Sequence, residues 1–289
     1  MKVGIFGSGF GLYGYLPSII KLNWTPLVLQ KSYNAMILRP ELNRFAESVL
    51  IFNEVSEMIE ESDNLVVATP PVNQQRILEG LIPFNGHLFL EKPLAADINS
   101  HAELIQQLDV SSQDFSVAYL LKYTKHYQEI VEQILRDSEG VVHVDWRIRP
   151  RDSNWKNDLN LGGGLFSFYG IHFSELLFDA QVKISDVQIK VDSNCISISV
   201  TKAEKLKFRL TVSYSDKSEF SIAVNDKLIT KQDNPFGQAN LFGKPDNRID
   251  LLSKYLNEFP KASRESKILL EEYVLRLRVS FEEALKAHS

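Results

Sequence analysis

Short apolar runs alternate with helix-period stretches through the first 120 residues, and this alternation is the main structural signal of the chain. Residues 3–6, 25–29, 49–52, 65–68, 88–90 and 115–120 read as strands, mostly apolar along their length, as burial on both faces requires. Helices are expected over 16–22, 53–61, 74–81 and 99–108, with Val55, Met58 and Ile59 of the second on one face. Strands that alternate with helices predict a doubly wound parallel sheet. After Lys122 the rhythm changes. A helix over 127–135 leads into an alternating strand over 141–148, then a glycine-rich turn and short helix within 162–177. Period-two runs follow at 184–191, 196–201, 206–214 and 219–224, and an amphipathic helix closes the chain over 269–287. Strands beside strands predict a largely antiparallel open sheet with one packed face. The expected organisation is α/β, with an N-terminal domain over 1–121 and an α+β domain over 122–289.

Composition narrows the chemistry. A length of 289 residues suits two domains, and 44% hydrophobic with 24% charged residues excludes collagen, coiled coil and disordered tail. The net charge of −5, from 37 acidic against 32 basic residues, gives no general attraction to nucleic acid or anionic membrane. With Cys195 as the sole cysteine, no intrachain disulfide or cysteine-built zinc site forms. The six histidines show no metal-ligand spacing, and no G-x-S-x-G element offers a hydrolase nucleophile. Apolar runs stay short of a membrane span, and the apolar start of the chain breaks at once into glycines. A cytoplasmic protein is expected.

The first strand runs directly into Gly7-Ser8-Gly9-Phe10-Gly11-Leu12-Tyr13-Gly14. A dinucleotide site needs glycine for the tight turn and again where the backbone approaches the pyrophosphate. Gly7 and Gly9 suit those roles, while the third position of G-x-G-x-x-G holds Leu12 and Gly11 sits one residue early. Strand two ends in Gln30-Lys31-Ser32, where an NAD site would carry a carboxylate for the ribose 2′-hydroxyl. A lysine and a hydroxyl there favour the 2′-phosphate of NADP, with NAD as the alternative.

Glu91-Lys92-Pro93-Leu94 follows strand five, and Gly162-Gly163-Gly164 precedes Gly170-Ile171-His172-Phe173-Ser174-Glu175. Together with Thr69-Pro70-Pro71 and the glycine loop, in this order, these motifs resemble the glucose–fructose oxidoreductase/inositol dehydrogenase (Gfo/Idh/MocA) family over nearly the whole chain. The resemblance implies a Rossmann domain, then an α/β domain whose open sheet forms a dimer interface, and nicotinamide-dependent chemistry on sugars, inositols or sugar nucleotides. It implies cofactor contacts from Gly7, Ser8, Gly9, Phe10, Gly11, Leu12, Gln30, Lys31, Ser32, Thr69, Pro70, Gln74, Glu91 and Lys92. Lys92 and His172 then become the catalytic pair. A cation beside a reacting oxygen favours its ionisation, and a lysine desolvated in a cleft becomes usable as acid or base.

Departures from the family pattern fall on the substrate half. Phe168 stands four residues before His172, where the pattern has aspartate; Gln74 replaces a histidine, and Leu120-Leu121-Lys122 replaces a polar segment ending in arginine. Lys122, Arg149, Trp155, Tyr169 and His172 are the expected substrate contacts, with Asn154, Trp155 and Lys156 on a loop before the triple glycine. Arg147, Arg149 and Arg151 at period two serve either substrate phosphates or, by a slight preference, a solvated or dimer-edge face. An uncovered apolar sheet face predicts a homodimer or homotetramer through the C-terminal sheet. The leading expectation is an NADP(H)-dependent oxidoreductase acting on a small polar substrate, a sugar or sugar-nucleotide derivative. Its rivals are non-redox use of bound NAD and a binding protein without turnover.

Overall fold

The computed structural model describes residues 1–136, 140–150, 155–236, 248–258 and 262–288. They divide into two compact units. The first comprises Met1–Ala95, Ser100–Ala118 and the described part of Gln238–Ile268; the second comprises Ala96–Asn99 and the described parts of Tyr119–Gly237 and Leu269–Ser289. The expected single break at residue 121 thus differs from the observed division, because a late segment returns to the first unit.

The first unit runs β1 (Lys2–Phe6), α1 (Leu16–Lys21), β2 (Thr25–Leu29), α2 (Gln30–Ile37), α3 (Pro40–Asn43), β3 (Leu50–Phe52), α4 (Val55–Glu60), β4 (Asn64–Val67), α5 (Pro71–Leu81), β5 (His87–Leu90), α6 (Ile98–Val110) and β6 (Phe115–Val117). The six strands are parallel in the order β3-β2-β1-β4-β5-β6. Every residue of β4 and β5 is buried, which is why both read as unbroken apolar runs. Three expectations shift. The sixth strand ends at Val117, Val55 of α4 is exposed while Met58 is buried, and α2 lies where no helix was expected. Only Met36 of α2 is buried, and one anchor leaves no periodic signal.

The second unit holds α7 (Tyr127–Leu135), β7 (Val142–Ile148), α8 (Ser174–Asp179), β8 (Val187–Asp192), β9 (Cys195–Lys202), β10 (Lys205–Tyr214), β11 (Glu219–Val224) and β12 (Lys227–Gln232). Its strands are ordered β12-β11-β7-β10-β9-β8, antiparallel except for the β7–β10 pair. The stretch over 162–177 is three short pieces rather than one helix: a π-helical turn Leu165–Tyr169, a 3₁₀ turn Gly170–Phe173 and the start of α8. Two late helices complete the chain, α9 (Arg248–Glu258) and α10 (Arg264–His288). Neither α9 nor β12 was expected from the sequence. Helix α9 packs in the first unit, where Ser18 Oγ donates to the Ile249 carbonyl at 3.2 Å and Lys21 pairs with Asp250 at 2.6 Å.

The packed face of the second sheet carries Val144, Trp146, Ile198, Phe208, Leu210 and Phe220, covered by α7, α8 and Phe281 of α10. Phe166 stacks on Phe281 at 4.8 Å. The open face is not the apolar surface expected. Across the register it presents Ser197, Thr211, Asp145, Ser221 and Lys231 in one row and Ser199, Arg209, His143 and Ala223 in the next. Among the described residues, no helix is long and apolar enough to cross a membrane.

Candidate active-site residues

Close contacts shape the glycine loop at Gly7, Gly11 and Gly14. Gly7 has φ +125°, and a Cβ there would overlap the Ala68 carbonyl oxygen beyond β4. Gly9 faces open space, with no atom within 4 Å of a Cβ built on it. The third glycine role is shared: a Cβ on Gly11 would lie 3.0 Å from Ile5 of β1, and one on Gly14 would lie 2.8 Å from Leu252 of α9. Between them the backbone forms a π-helical turn, Gly11–Tyr15, which shifts the register that placed Gly11 one residue early.

Beyond β4, Thr69 and Pro70 lead into α5 with Pro71 in its first turn, where the missing N–H is harmless. The Thr69 hydroxyl oxygen is buried and has no hydrogen-bond partner. One turn into α5, Gln74 is fully buried, and its amide nitrogen donates to the carbonyls of Glu91 at 2.6 Å and of Pro93 and Leu94 at 3.2 Å. The residue that departs from the family pattern therefore grips the Glu-Lys-Pro turn. On the other side the Tyr15 hydroxyl donates to Glu91 Oε1 at 2.8 Å. Burial, reinforced by the Glu91 charge, holds the Tyr15 phenol well above its ordinary pKa and keeps it a donor. Lys92 sits between these clamps with 7% of its surface exposed.

At the end of β2, Gln30, Lys31 and Ser32 form the first turn of α2, with Lys31 exposed and Gln30 Nε2 donating to Asn34 at 2.7 Å. A second cation reaches the glycine loop unannounced by sequence. Arg39 Nη1 donates to the Ser8 carbonyl at 2.7 Å, and its guanidinium lies over the Tyr13 ring at 5.1 Å. The Tyr13 hydroxyl is in turn held by Glu41 at 2.9 Å. Ten residues past β2, an isolated arginine offers no spacing that would single it out. Phe10 packs edge-on against Tyr15 at 5.6 Å and lies under the Arg248 guanidinium at 4.5 Å.

In the second unit, His172 is 5% exposed and surrounded by rings. Phe236 lies 4.7 Å from its centroid and Trp146 6.3 Å. The rings continue outward, with Trp146 against Tyr169 at 5.3 Å, Tyr169 against Phe168 at 4.8 Å and Phe168 against Trp155 at 5.6 Å. Lys156 Nζ lies over the Phe168 ring at 4.7 Å. Gly163 lets this loop close, since a Cβ there would overlap the Trp155 carbonyl.

The remaining substrate candidates have protein partners. Lys122 Nζ is 2.8 Å from Glu175 and 3.4 Å from Asp179, and Tyr127 donates to Asp179 at 2.8 Å. Burial lifts the Glu175 carboxyl to about 7 against the opposing pull of Lys122. Sequence reasoning passed over Glu175, which stands three residues after His172. Arg149 is exposed just past β7, its backbone N–H donating to Ser218 at 3.3 Å. Arg147 pairs with Asp145 at 3.0 Å on the open face, as the solvated reading expects. Arg151 and Asn154 lie outside the described residues.

No family model matches the sequence, and no curated protein matches it either. Solved structures do match. A probable dehydrogenase from Thermotoga maritima is similar at a TM-score of 0.74 and 12% identity, over 99% of this chain and 97% of that one. A myo-inositol dehydrogenase from Corynebacterium glutamicum ATCC 13032 gives 0.69 at 13% identity, over 100% and 97%. The WlbA (WbpB) dehydrogenase from Thermus thermophilus, in complex with NAD and UDP-GlcNAcA, gives 0.67 at 14%, over 96% and 94%. The chain has the fold of these dehydrogenases. In the dehydrogenase fold seen here, the first-unit strand order reverses between β1 and β4, and ligands of doubly wound sheets bind beyond the strand ends at such a switch. Gly7 and Thr69 follow those two strands. The open space at Gly9 and the partnerless Thr69 hydroxyl fit a phosphate-bearing dinucleotide.

Proposed function

We propose that this chain is an NADP(H)-dependent oxidoreductase acting on a small polar substrate, a sugar or sugar-nucleotide derivative. The observation that carries the reading is Lys92, buried and clamped by Gln74 and by the Tyr15–Glu91 pair, in the unit that holds the glycine loop. NAD-bound neighbours such as the WlbA enzyme and GenD2 support the cofactor class. When bound, the nicotinamide supplies or accepts a hydride. The backbone of Gly7, Ser8, Gly9, Phe10, Gly11 and Leu12 holds the pyrophosphate, with the Thr69 hydroxyl as a further donor.

Lys92 is the proton-transfer and charge-stabilising group. A buried ammonium beside a carbonyl or carbinol oxygen lowers the cost of the charge that develops there. His172 is the second catalytic candidate, an imidazole able to donate or accept a hydrogen bond. Glu91 accepts from Tyr15 through Oε1 and serves to fix the turn. Lys31, Ser32 and Arg39 favour the 2′-phosphate: Arg39 is stacked and tethered through one N–H, which leaves donors for an anion. The expected result is NADP(H) binding several-fold tighter than NAD(H) by fluorescence titration, with Arg39→Ala eroding that ratio more than Lys31→Ala. Equal affinities would overturn the NADP assignment, and no binding of either would overturn the oxidoreductase. Stopped-flow absorbance of reduced nicotinamide with a sugar library separates turnover from mere storage.

We also propose a cytoplasmic homodimer or homotetramer associating through the open sheet face, whose rows mix Ser197, Ser199, Thr211 and Ser221 with the charged Asp145, Arg209 and Lys231, so that the contact would be polar rather than apolar. Light scattering giving 33.0 kDa at micromolar concentration would reject the assembly.

A further inference from the structure

We propose that Arg248, the first residue of α9, binds the pyrophosphate of the dinucleotide, so that a late helix completes the site the glycine loop begins. This rests on the oxidoreductase reading and adds a residue to its cofactor site. Helix α9 is fastened along one face of the helical run that follows the loop. Asp250 pairs with Lys21 at 2.6 Å. Ser18 Oγ donates to the Ile249 carbonyl at 3.2 Å and to the Gly14 carbonyl at 2.7 Å. Leu252 lies against Gly14, where a Cβ would stand 2.8 Å from it. Finally, the Arg248 guanidinium lies over the Phe10 ring at 4.5 Å. Lys21, Ser18, Gly14 and Phe10 step back toward the loop by three or four residues at a time, which is the spacing of one helix face. Arg248 is therefore the α9 contact at the loop end of that face, on the residue that directly precedes the π-helical turn.

The way Arg248 is held suits an anion. A ring attracts a cation through its π face without cancelling its charge, as a carboxylate would. A guanidinium is planar and matches phosphate oxygens with two N–H groups at a time. The ring beneath it is itself fixed. Phe10 meets Tyr15 edge-on at 5.6 Å and 76°, Tyr15 donates to Glu91 at 2.8 Å, and a Cβ on Gly14 would overlap the Phe10 ring. A cation seated on that ring is placed before the dinucleotide arrives, so little side-chain ordering remains to oppose binding. Two guanidiniums gather at this loop in a chain of net charge −5: Arg39 is tethered to Ser8, and Arg248 rests on Phe10 two residues on. Their positions divide the work. Arg39 follows β2, where the 2′-phosphate is expected, and decides between NADP and NAD. Arg248 comes with the helix that packs behind the loop, whose first-turn N–H groups receive the pyrophosphate common to both.

Four ligands separate these roles when titrated against the full chain by its own fluorescence. They are NADP⁺, NAD⁺, ADP-ribose, which keeps the pyrophosphate without nicotinamide, and adenosine 2′-monophosphate, which has no pyrophosphate. In Arg248→Gln the first three are each expected to bind about ten-fold more weakly, with adenosine 2′-monophosphate bound as in wild type. Arg248→Lys, which keeps the charge, is expected to recover about three-fold of that loss. Arg39→Ala should give the complementary pattern, weakening NADP⁺ and adenosine 2′-monophosphate and sparing ADP-ribose. Unchanged ADP-ribose affinity in Arg248→Gln would overturn the proposal and leave the oxidoreductase reading standing. So would an equal loss for adenosine 2′-monophosphate, or an Arg248→Lys no better than Arg248→Gln, because either marks a loop distorted by lost packing on Phe10 instead of a lost phosphate partner. A wild-type chain that binds none of the dinucleotides would overturn both the oxidoreductase reading and the role of Arg248.

Discussion

The two units hold their chemistry by different means. In the first, recognition is built from backbone: a glycine at φ +125°, a π-helical turn, and a Glu-Lys-Pro turn whose carbonyls are gripped by the amide of Gln74. In the second, the corresponding groups are side chains among side chains, with His172 set in rings and Lys122 taken up by Glu175 and Asp179. Backbone-built recognition fixes residue types, because only glycine fits the conformation and only a compact donor fills the slot. Recognition by side chains can be rewritten one residue at a time without disturbing the fold. The difference sets the glycine loop and the Glu-Lys-Pro turn, which tolerate few residue types, against Phe168 and the rings beside it, which can be exchanged singly.

The contrast is broken most severely at Lys92. Lys92→Met is expected to cost more than about 10⁴-fold in turnover while the dinucleotide still binds, since it removes proton transfer and charge stabilisation together. Retained turnover would show the first unit to be a mere holder. His172→Ala should cost about 10²–10⁴-fold in kcat, as one acid–base group among several, and a smaller loss than Lys92→Met is the discriminating result. Gln74→Ala strips partners from three carbonyls and is expected to lower stability by about 2 kcal/mol in urea unfolding, with kcat falling alongside.

The smallest effect concerns Glu175, whose carboxyl is lifted by burial from 4.5 to about 7. Its folded pKa exceeds its unfolded one, so its protonated form is favoured by folding below about 4.5 and that advantage fades as pH rises through 7. Wild type should therefore lose roughly 1–2 kcal/mol relative to Glu175→Gln between pH 5 and 7.5, the window in which most of that advantage fades. The difference between the two proteins is the proper measure. Wild-type slope alone mixes in His87, whose pKa burial lowers below 6.5 and whose titration acts in the opposite sense.

Much of this was legible in the sequence where burial is two-sided. The runs that became β4 and β5 are apolar because water reaches neither face, and period-two alternation marked β9 and β10 for the converse reason. What escaped notice has small or unusual amphipathicity. Helix α2 buries one residue, and α9 is a short helix whose partners lie more than 200 residues earlier at Ser18 and Lys21. At the site, the family resemblance led to Lys92 and His172, yet it carries no information about Arg39 or Tyr15. Their roles come from contacts across the fold with Ser8 and Glu91. Gln74, a departure from the family pattern and a candidate cofactor contact in one dimension, is a structural clasp in three.

The last strand of the second sheet has a consequence for how the protein behaves when crowded. β12 is an edge, and an edge offers unpaired N–H and C=O groups to any strand that approaches. Its Leu228 and Ile229 are exposed, which would make the segment adhesive. Lysines at 227 and 231 flank them, and the β11–β12 ladder slips register between Ile222 and Ala223. Charge and an irregular ladder together make this edge a poor template for fibril growth, protecting against aggregation without calling on the rest of the molecule.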